Sequence, residues 1–457
     1  MRWAVSGERS LALRIVLVRH GLSSFNLDHR VQGRDDLSSL TDAGAAQARA
    51  VGEALADLPL DAVYTSPLRR ASDTAAQILA VHGQGLVANR HDDLLEIDLA
   101  PWSGLLRNEV RERFPAEERL WREAPEALRL PRAEGGSYAP LLELMAQAQR
   151  FAQMLLEGHA GALDDDTGET LLIVAHNGIL RALVLSLLGL PASGFRRLRL
   201  DNASISVLNL RRGGAGAPAV QLESLNSTAH LGTSVPGRGR GPRLLLVRHG
   251  ETDWNRQGRF QGQIDIPLNA TGRAQADAAG HFLASVSFER AYSSWMARPR
   301  QTAEAILASH PGVPLTTTAG LAEIGHGLWE GRLESEIAEG WPQLLADWKR
   351  APQTVQMPEG ETIHDVWQRS LDTWCRIAAS LGQQETALVV AHDAVNKTIL
   401  CALLGLTPAD IWIIKQGNGG VTVVDYPQGA GGTPVVAALN LTSHLGGVLD
   451  RTAAGAL

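Results

Sequence analysis

Leu17-Val18-Arg19-His20-Gly21 recurs as Leu246-Val247-Arg248-His249-Gly250. Each pentapeptide closes an uninterrupted apolar run, Ile15 to Val18 and Leu244 to Val247. Such runs are expected of central parallel strands covered on both faces. The likeness extends outward. Asn26 and Asn255 each lie six residues past their histidine, and Gln32-Gly33 and Gln261-Gly262 begin twelve residues past it. Ser66 to Ala75 pairs with Ser294 to Ala303, Leu95-Glu96-Ile97 with Ala322-Glu323-Ile324, and Ala175-His176 with Ala391-His392. The tails match too, Leu225 to Leu231 against Leu439 to Leu445. A period of roughly 210 to 230 residues is a whole domain and not a solenoid unit. The chain is therefore expected to hold two domains, 13–231 and 243–450. Residues 232–242, rich in glycine and proline, read as the linker because they hold neither helix nor strand.

Within each copy, strand-like runs alternate with helical patterns. Ala48, Val51, Leu55 and Leu58 fall at helical spacing, as do Ala274, Ala278, Phe282 and Leu283. Ala62 to Tyr64, Leu171 to Val174 and Leu388 to Val390 read as further buried strands, and Thr362 to Asp365 as a capping box opening a helix. The expected class is α/β: two tandem α/β/α sandwiches, each a mostly parallel sheet flanked by helices. Ligands in such sheets bind beyond the carboxyl ends of the strands. Both Arg-His-Gly segments and both later histidines fall there.

Composition narrows the function classes. The 457 residues are 44% hydrophobic and 20% charged with a formal charge of -7, which is globular and lacks the basic stripe of a nucleic-acid binder. Two cysteines, Cys375 and Cys401, without a CxxC imply neither a disulfide framework nor a cysteine zinc site. Met1 to Leu13 lacks a long apolar segment with a small-residue cleavage site. Leu171 to Leu190 has the length of a membrane span but contains His176, Asn177 and Arg181, so it reads as a strand turning into a helix. A soluble cytoplasmic protein is expected, with no nucleic-acid or membrane partner and with a homodimer left open.

The shared residues suit phosphoryl chemistry. A neutral imidazole is a competent nucleophile toward phosphorus. Guanidinium forks neutralise the phosphate, and a glycine after the histidine admits the backbone close to it. A second histidine, if protonated, stabilises the equatorial oxygens, and a glutamic acid with a raised pKa protonates the leaving alkoxide. No residue cluster has metal-ligand spacing, so neither metal nor cofactor is expected. A lone Arg-His-Gly says little; its recurrence with Arg, Glu and His in the same order says much more.

The residues resemble the histidine phosphatase superfamily, which includes the cofactor-dependent phosphoglycerate mutases. The likeness is close in the second copy: LVRHGETDWN (246–255), QGQIDIPLNATG (261–272), GLWEG (327–331), PEGET (358–362) and AHDAVNK (391–397). It implies His249 as nucleophile, Arg248 and Arg298 as phosphate clamps, His392 as transition-state stabiliser and Glu323 as acid and base. Gly250, Asn255, Gln261 and Gly262 fall to substrate contact. The first copy offers His20, Arg19, Arg70, Glu96, His176 and Asn26 as a second site. It departs at Leu22, at Ser38-Ser39 and at PWSG (101–104), which puts its pocket shape in question. The tail histidines His230 and His444 share a context in both copies. Either His444 meets the substrate's far end, or it is a satisfied polar group in a closing strand. Histidines without a repeat partner, such as His29, His82 and His310, read as surface or packing residues, and the tryptophans read as core.

Mutases of the family carry a long insert between the glutamate and the second histidine. Arg332 to Gln384 lacks that pattern, which favours a phosphatase. The tandem form looks like the metal-independent phosphoserine phosphatases known from cyanobacteria, so hydrolysis of L-phosphoserine is the expected reaction. The alternatives are a phosphoglycerate mutase, a phosphatase of another small ester, or, especially for the first copy, a non-catalytic phosphate-binding module.

Overall fold

The computed structural model describes residues 13–165, 168–213 and 218–452; most of the Met1–Leu13 stretch lies outside them. The chain divides into two compact units, residues 1–222 with 230–232 and residues 223–229 with 233–457. Among the described residues no helix is long and apolar enough to cross a membrane. Leu171 to Leu190 splits as its polar residues imply, into the strand Glu169–Ala175 and the helix Asn177–Leu187.

The first unit is built on the strands Ile205–Arg211, Leu13–Arg19, Glu169–Ala175, Ala62–Thr65 and Asn89–Arg90, side by side in that order. Ile205–Arg211 runs antiparallel to Leu13–Arg19, and the other pairs are parallel. The second unit orders Leu315–Thr318, Arg290–Ser294, Thr386–Ala391 and Arg243–Arg248 in parallel. Val421–Asp425 and Val435–Leu441 then follow antiparallel. Helices carry the sequence between parallel neighbours, as that geometry requires. Leu245, Val247, Leu388 and Val390 lie in one apolar cluster with Ala279 and Leu283 of the helix Ala270–Leu283. That explains the unbroken apolar runs.

Two expectations shift at the domain junction. Residues 223–229, expected to finish the first domain, cluster with the second unit. There Leu225 pairs with Leu439, and Asn226 Nδ2 donates to Ala437 O at 2.6 Å. Residues 233–242 belong to that unit as well. Their backbone carries little regular structure, yet Arg243 Nη1 donates to Pro236 O at 2.8 Å and Arg238 Nη1 to Thr386 Oγ1 at 2.6 Å. Arginine forks thus fasten a segment whose glycines and prolines cannot fasten themselves.

The glycine after each nucleophile candidate has a packing reason. A Cβ on Gly250 would lie 2.3 Å from Gly272 O, and one on Gly272 would lie 2.0 Å from Glu251 O. The same mutual approach joins Gly21 and Gly44, at 2.4 and 2.2 Å. The strand end and the first turn of the helix Ala270–Leu283 therefore meet backbone to backbone. Gly272→Ala should lower stability by about 1–3 kcal/mol in urea unfolding. Gly340→Ala, where nothing lies within 4 Å, should leave the midpoint almost unmoved.

Candidate active sites

Strand register brings the two histidines of each unit together. Arg19 pairs with Ala175 and Arg248 with Ala391 on adjacent parallel strands. The next residue on each strand is a histidine, and His20 N donates to Ala175 O at 2.9 Å, His249 N to Ala391 O at 3.1 Å. The imidazole centroids of His20 and His176 are 5.2 Å apart, those of His249 and His392 5.1 Å. All four rings are almost wholly buried, at 0–2% exposure.

The nucleophile candidates share one tautomer. His20 Nδ1 donates to Gly21 O at 2.7 Å and His249 Nδ1 to Gly250 O at 2.6 Å. Nε2 is left with its lone pair toward the site. Burial, then the Arg298 and Arg248 guanidiniums, hold His249 well below the ordinary histidine value. Burial with Arg19 and Arg70 does the same to His20. The ligand-free rings are neutral, as nucleophilic attack requires. Burial and Arg298 also depress His392, which works against the protonated form expected of it.

The arginines are held from behind by carbonyls. Arg298 Nη2 donates to Gly262 O at 2.8 Å, and its Nε lies 3.3 Å from His249 Nε2. Arg70 Nη2 donates to Gly33 O at 2.9 Å. Arg248 Nη1 donates to Gln416 O at 2.5 Å, and Arg19 Nη1 to Leu200 O at 2.8 Å. Gln261 and Gly262, expected to touch substrate, also take part in this scaffold, and Gln261 Nε2 is left without a protein partner. Gln261 Oε1 accepts from Thr252 Oγ1 at 2.8 Å, and a Cβ on Gly262 would meet Glu330 Oε1 at 2.0 Å. Glu330 accepts from Gln263 N at 2.8 Å and Ile264 N at 2.9 Å, fixing the loop that holds Arg298. In the first unit Ser103 stands at that place and ties the loop by donating to Gln32 O at 2.8 Å. The PWSG departure therefore leaves the arginine seat intact.

Each glutamate sits at the start of the helix behind the second histidine. Glu323 Oε2 accepts from Asp393 N at 3.0 Å and Glu96 Oε2 from Gly178 N at 3.1 Å. Burial and then Asp393 raise Glu323 from its ordinary value, against the Ile324 N–H and the two arginines. A carboxyl so raised can hold and deliver a proton.

Two features went beyond the sequence reading. Asn202 and Asn418 donate through Nδ2 to His20 O and His249 O, each at 3.0 Å, and reach Asn26 Oδ1 and Asn255 Oδ1 at 3.0 and 3.4 Å. With their oxygens committed, Asn26 and Asn255 keep the NH2 for a phosphate. The recurrence of Asn202 and Asn418 at the offset of His176 and His392 was the available signal. The tail histidines are the second feature, and here the substrate-contact expectation for His444 gives way. His444 Nε2 donates to Gly419 O at 3.1 Å and its ring stacks on Phe282 at 4.6 Å. Gly419 N in turn donates to Arg248 O at 3.1 Å and His249 O at 3.3 Å. His230 Nε2 donates likewise to Ala203 O at 2.9 Å, and Ala203 N to Arg19 O at 3.0 Å. The tails brace the nucleophile's backbone from the rear.

The pattern of the family described as "Histidine phosphatase superfamily (branch 1)" matches residues 15–222 and 244–441. The chain belongs to the histidine phosphatase superfamily. Curated relatives include a 2-carboxy-D-arabinitol-1-phosphatase of Triticum aestivum, 30% identical over 459 residues, 95% of this chain and 87% of that one. Phosphoserine phosphatase 1 of Hydrogenobacter thermophilus is 30% identical over 204 residues, 45% of this chain and 94% of that one. Among solved structures, Bacillus stearothermophilus YhfR has a TM-score of 0.42 and 33% identity, covering 45% of this chain and 99% of that one.

The two histidine phosphatase units diverge beyond the phosphate end. In the second, His326 is fully buried against Phe260 and Trp348, with centroids 5.3 and 6.1 Å away, and neither ring nitrogen has a protein hydrogen-bond partner. Leu99 occupies the matching place in the first unit, where it lines an open cavity.

Burial holds His326 down at about 3, below the ordinary 6.5 of an unfolded histidine. Its contribution is thus fully present above pH 6.5 and is lost as pH falls from there toward 3. A His326→Leu variant should lose unfolding free energy less steeply on acidification, by about 1.4 kcal/mol per pH unit, in urea titrations between pH 6 and about 4. His444→Ala should cut kcat roughly tenfold with KM nearly unchanged, since it displaces the nucleophile and not the substrate. A rise in KM alone would restore the substrate-contact reading.

Proposed function

We propose that the second unit hydrolyses a small phosphomonoester through a phosphohistidine, without a metal. His249 Nε2 attacks phosphorus: the N–P bond forms, the ester P–O bond breaks, and the Glu323 carboxyl gives its proton to the leaving oxygen. Water then attacks the phosphohistidine, its proton passes to Glu323, and phosphate leaves as the N–P bond breaks. Arg248 and Arg298 hold the phosphoryl oxygens, and the bound dianion raises His392 so that it can donate to them. The observation that carries this reading is the buried His249 with Arg298 Nε 3.3 Å from its Nε2, beside a buried Glu323 whose pKa is pushed up.

For the substrate we infer L-phosphoserine. Asp393 and Lys397, bonded at 2.7 Å, stand where the first unit has the cavity-lining Asn177 and Arg181. One anion beside one cation suits a zwitterionic leaving group, and the phosphoserine phosphatase relative supports the same choice. A second reading, 2-carboxy-D-arabinitol 1-phosphate, is favoured by a relative whose match runs through both units.

Phosphate release with EDTA present should favour phosphoserine over 3-phosphoglycerate and p-nitrophenyl phosphate. His249→Ala should reduce it at least 1000-fold, on the scale of losing a catalytic nucleophile. Turnover that survives in His249→Ala and vanishes in His20→Ala would move catalysis to the first unit. Loss of activity with EDTA, restored by a divalent ion, would overturn the metal-free mechanism. Isomerisation of 3-phosphoglycerate without phosphate release would replace hydrolase by mutase.

A further inference from the structure

The first unit holds a cavity of about 460 Å³ that begins at His20 and Arg19 and runs outward between Arg107, Arg181 and Arg196. Arg181 Nε donates to Asn177 Oδ1 at 2.9 Å and Nη1 to Phe195 O at 3.3 Å, with its guanidinium 4.6 Å from the Phe195 ring centroid. Arg196 Nε donates to Trp121 O at 3.0 Å, and its guanidinium lies 4.4 Å from the Trp121 ring centroid. Every acceptor in this set is neutral. Burial pushes Arg181 down to about 9, and the Arg196 guanidinium pushes it the same way, partly offset by Glu96 and Asp201. Burial takes Arg196 to about 10, opposed by Glu118, which lines the same cavity. Half-buried cations set side by side and bonded only to neutral groups gain from a further anion that both can reach.

In the second unit the matching cation already has an anionic partner within the protein. Lys397 stands at the place of Arg181, bonded to Asp393 Oδ2 at 2.7 Å and lying 5.0 Å from the Trp412 ring centroid. Trp412 itself replaces Arg196, and Glu334 replaces Arg107 and pairs with Lys349 at 2.5 Å. Packing alone is therefore met by a lysine and a tryptophan. Two planar forks, rigid on aromatic faces, are the arrangement that grips a carboxylate or phosphate with paired hydrogen bonds.

We propose that the first-unit cavity binds a phosphomonoester that carries a second anionic group, a carboxylate or another phosphate. The ester phosphate sits on Arg19, Arg70 and His20, and the second anion lies between Arg181 and Arg196. This rests on the reading of the His20 cluster as a phosphate site.

The test is calorimetric titration of the full chain in a common His20→Asn, His249→Asn background, which cannot form a phosphohistidine. Matched probes separate the two anion sources: glycerol 3-phosphate against 3-phosphoglycerate, and fructose 6-phosphate against fructose 1,6-bisphosphate. Comparing each titration with and without Arg181→Gln reads the first unit alone, because Arg181 lies in it. The substitution should weaken the first-unit Kd of the acid or the bisphosphate roughly 10- to 100-fold, and that of its partner less than about threefold. Arg181→Lys should recover part of the loss, which sets charge apart from a folding defect. Equal weakening within each pair, or none, overturns the proposal. Arg70→Gln is the separate check on the phosphate site. If it leaves every probe's binding unchanged, the phosphate reading falls and the proposal with it.

Discussion

The in-register pairing of two parallel strands, Arg19 opposite Ala175 and Arg248 opposite Ala391, is the constraint on which each site depends. Neighbouring strands lie about 4.8 Å apart, so histidines that follow paired residues must stand at about that distance. The observed 5.2 and 5.1 Å between ring centroids are that spacing carried one residue past the sheet. A slip of one residue would turn every inward side chain of the strand to the other face. Apolar coverage of both faces and histidine pairing are thus one requirement. The helices Asn177–Leu187 and Asp393–Leu404 then begin directly behind the second histidine, and their first N–H groups receive Glu96 and Glu323.

Electrostatics follows from this geometry. Two guanidiniums and two imidazoles are buried together, so the imidazole pKa values fall. The guanidiniums stay, held mainly by backbone carbonyls, with Arg248 also 3.6 Å from the Asp393 carboxylate. The resulting pocket is short of negative charge. A phosphate dianion supplies it and reverses the pressure on the second histidine.

Much of this was legible in the residues. His20, His176, His249 and His392 follow buried strands, and repetition separated them and the two glutamates from chance matches. The capping box at Thr362 also stands as the pattern implies, opening the helix Ile363–Ala379. Repetition reveals a shared constraint but not its cause. His444 and Gly262 recur because backbone must be braced, and Gly250 because it meets Gly272, and a substrate contact would leave the same trace in sequence. Asn202 and Asn418 escaped notice because their flanks differ, Leu-Asp-Asn-Ala-Ser against Gln-Gly-Asn-Gly-Gly. Arg181 and Arg196 are not repeated at all, so only their placement on a common wall shows them.

That placement separates what the duplicated domain shares from what it is free to change. The phosphate seat is written in strand ends and loop carbonyls, whereas the opposite wall comes from Arg107, Trp121, Arg181 and Arg196 on four other stretches of chain. Drift in those stretches can retune one copy without disturbing its seat. An inhibitor that imitates phosphate alone would therefore be blind to which copy it entered. Selectivity between twins would have to be designed into the remainder of the molecule.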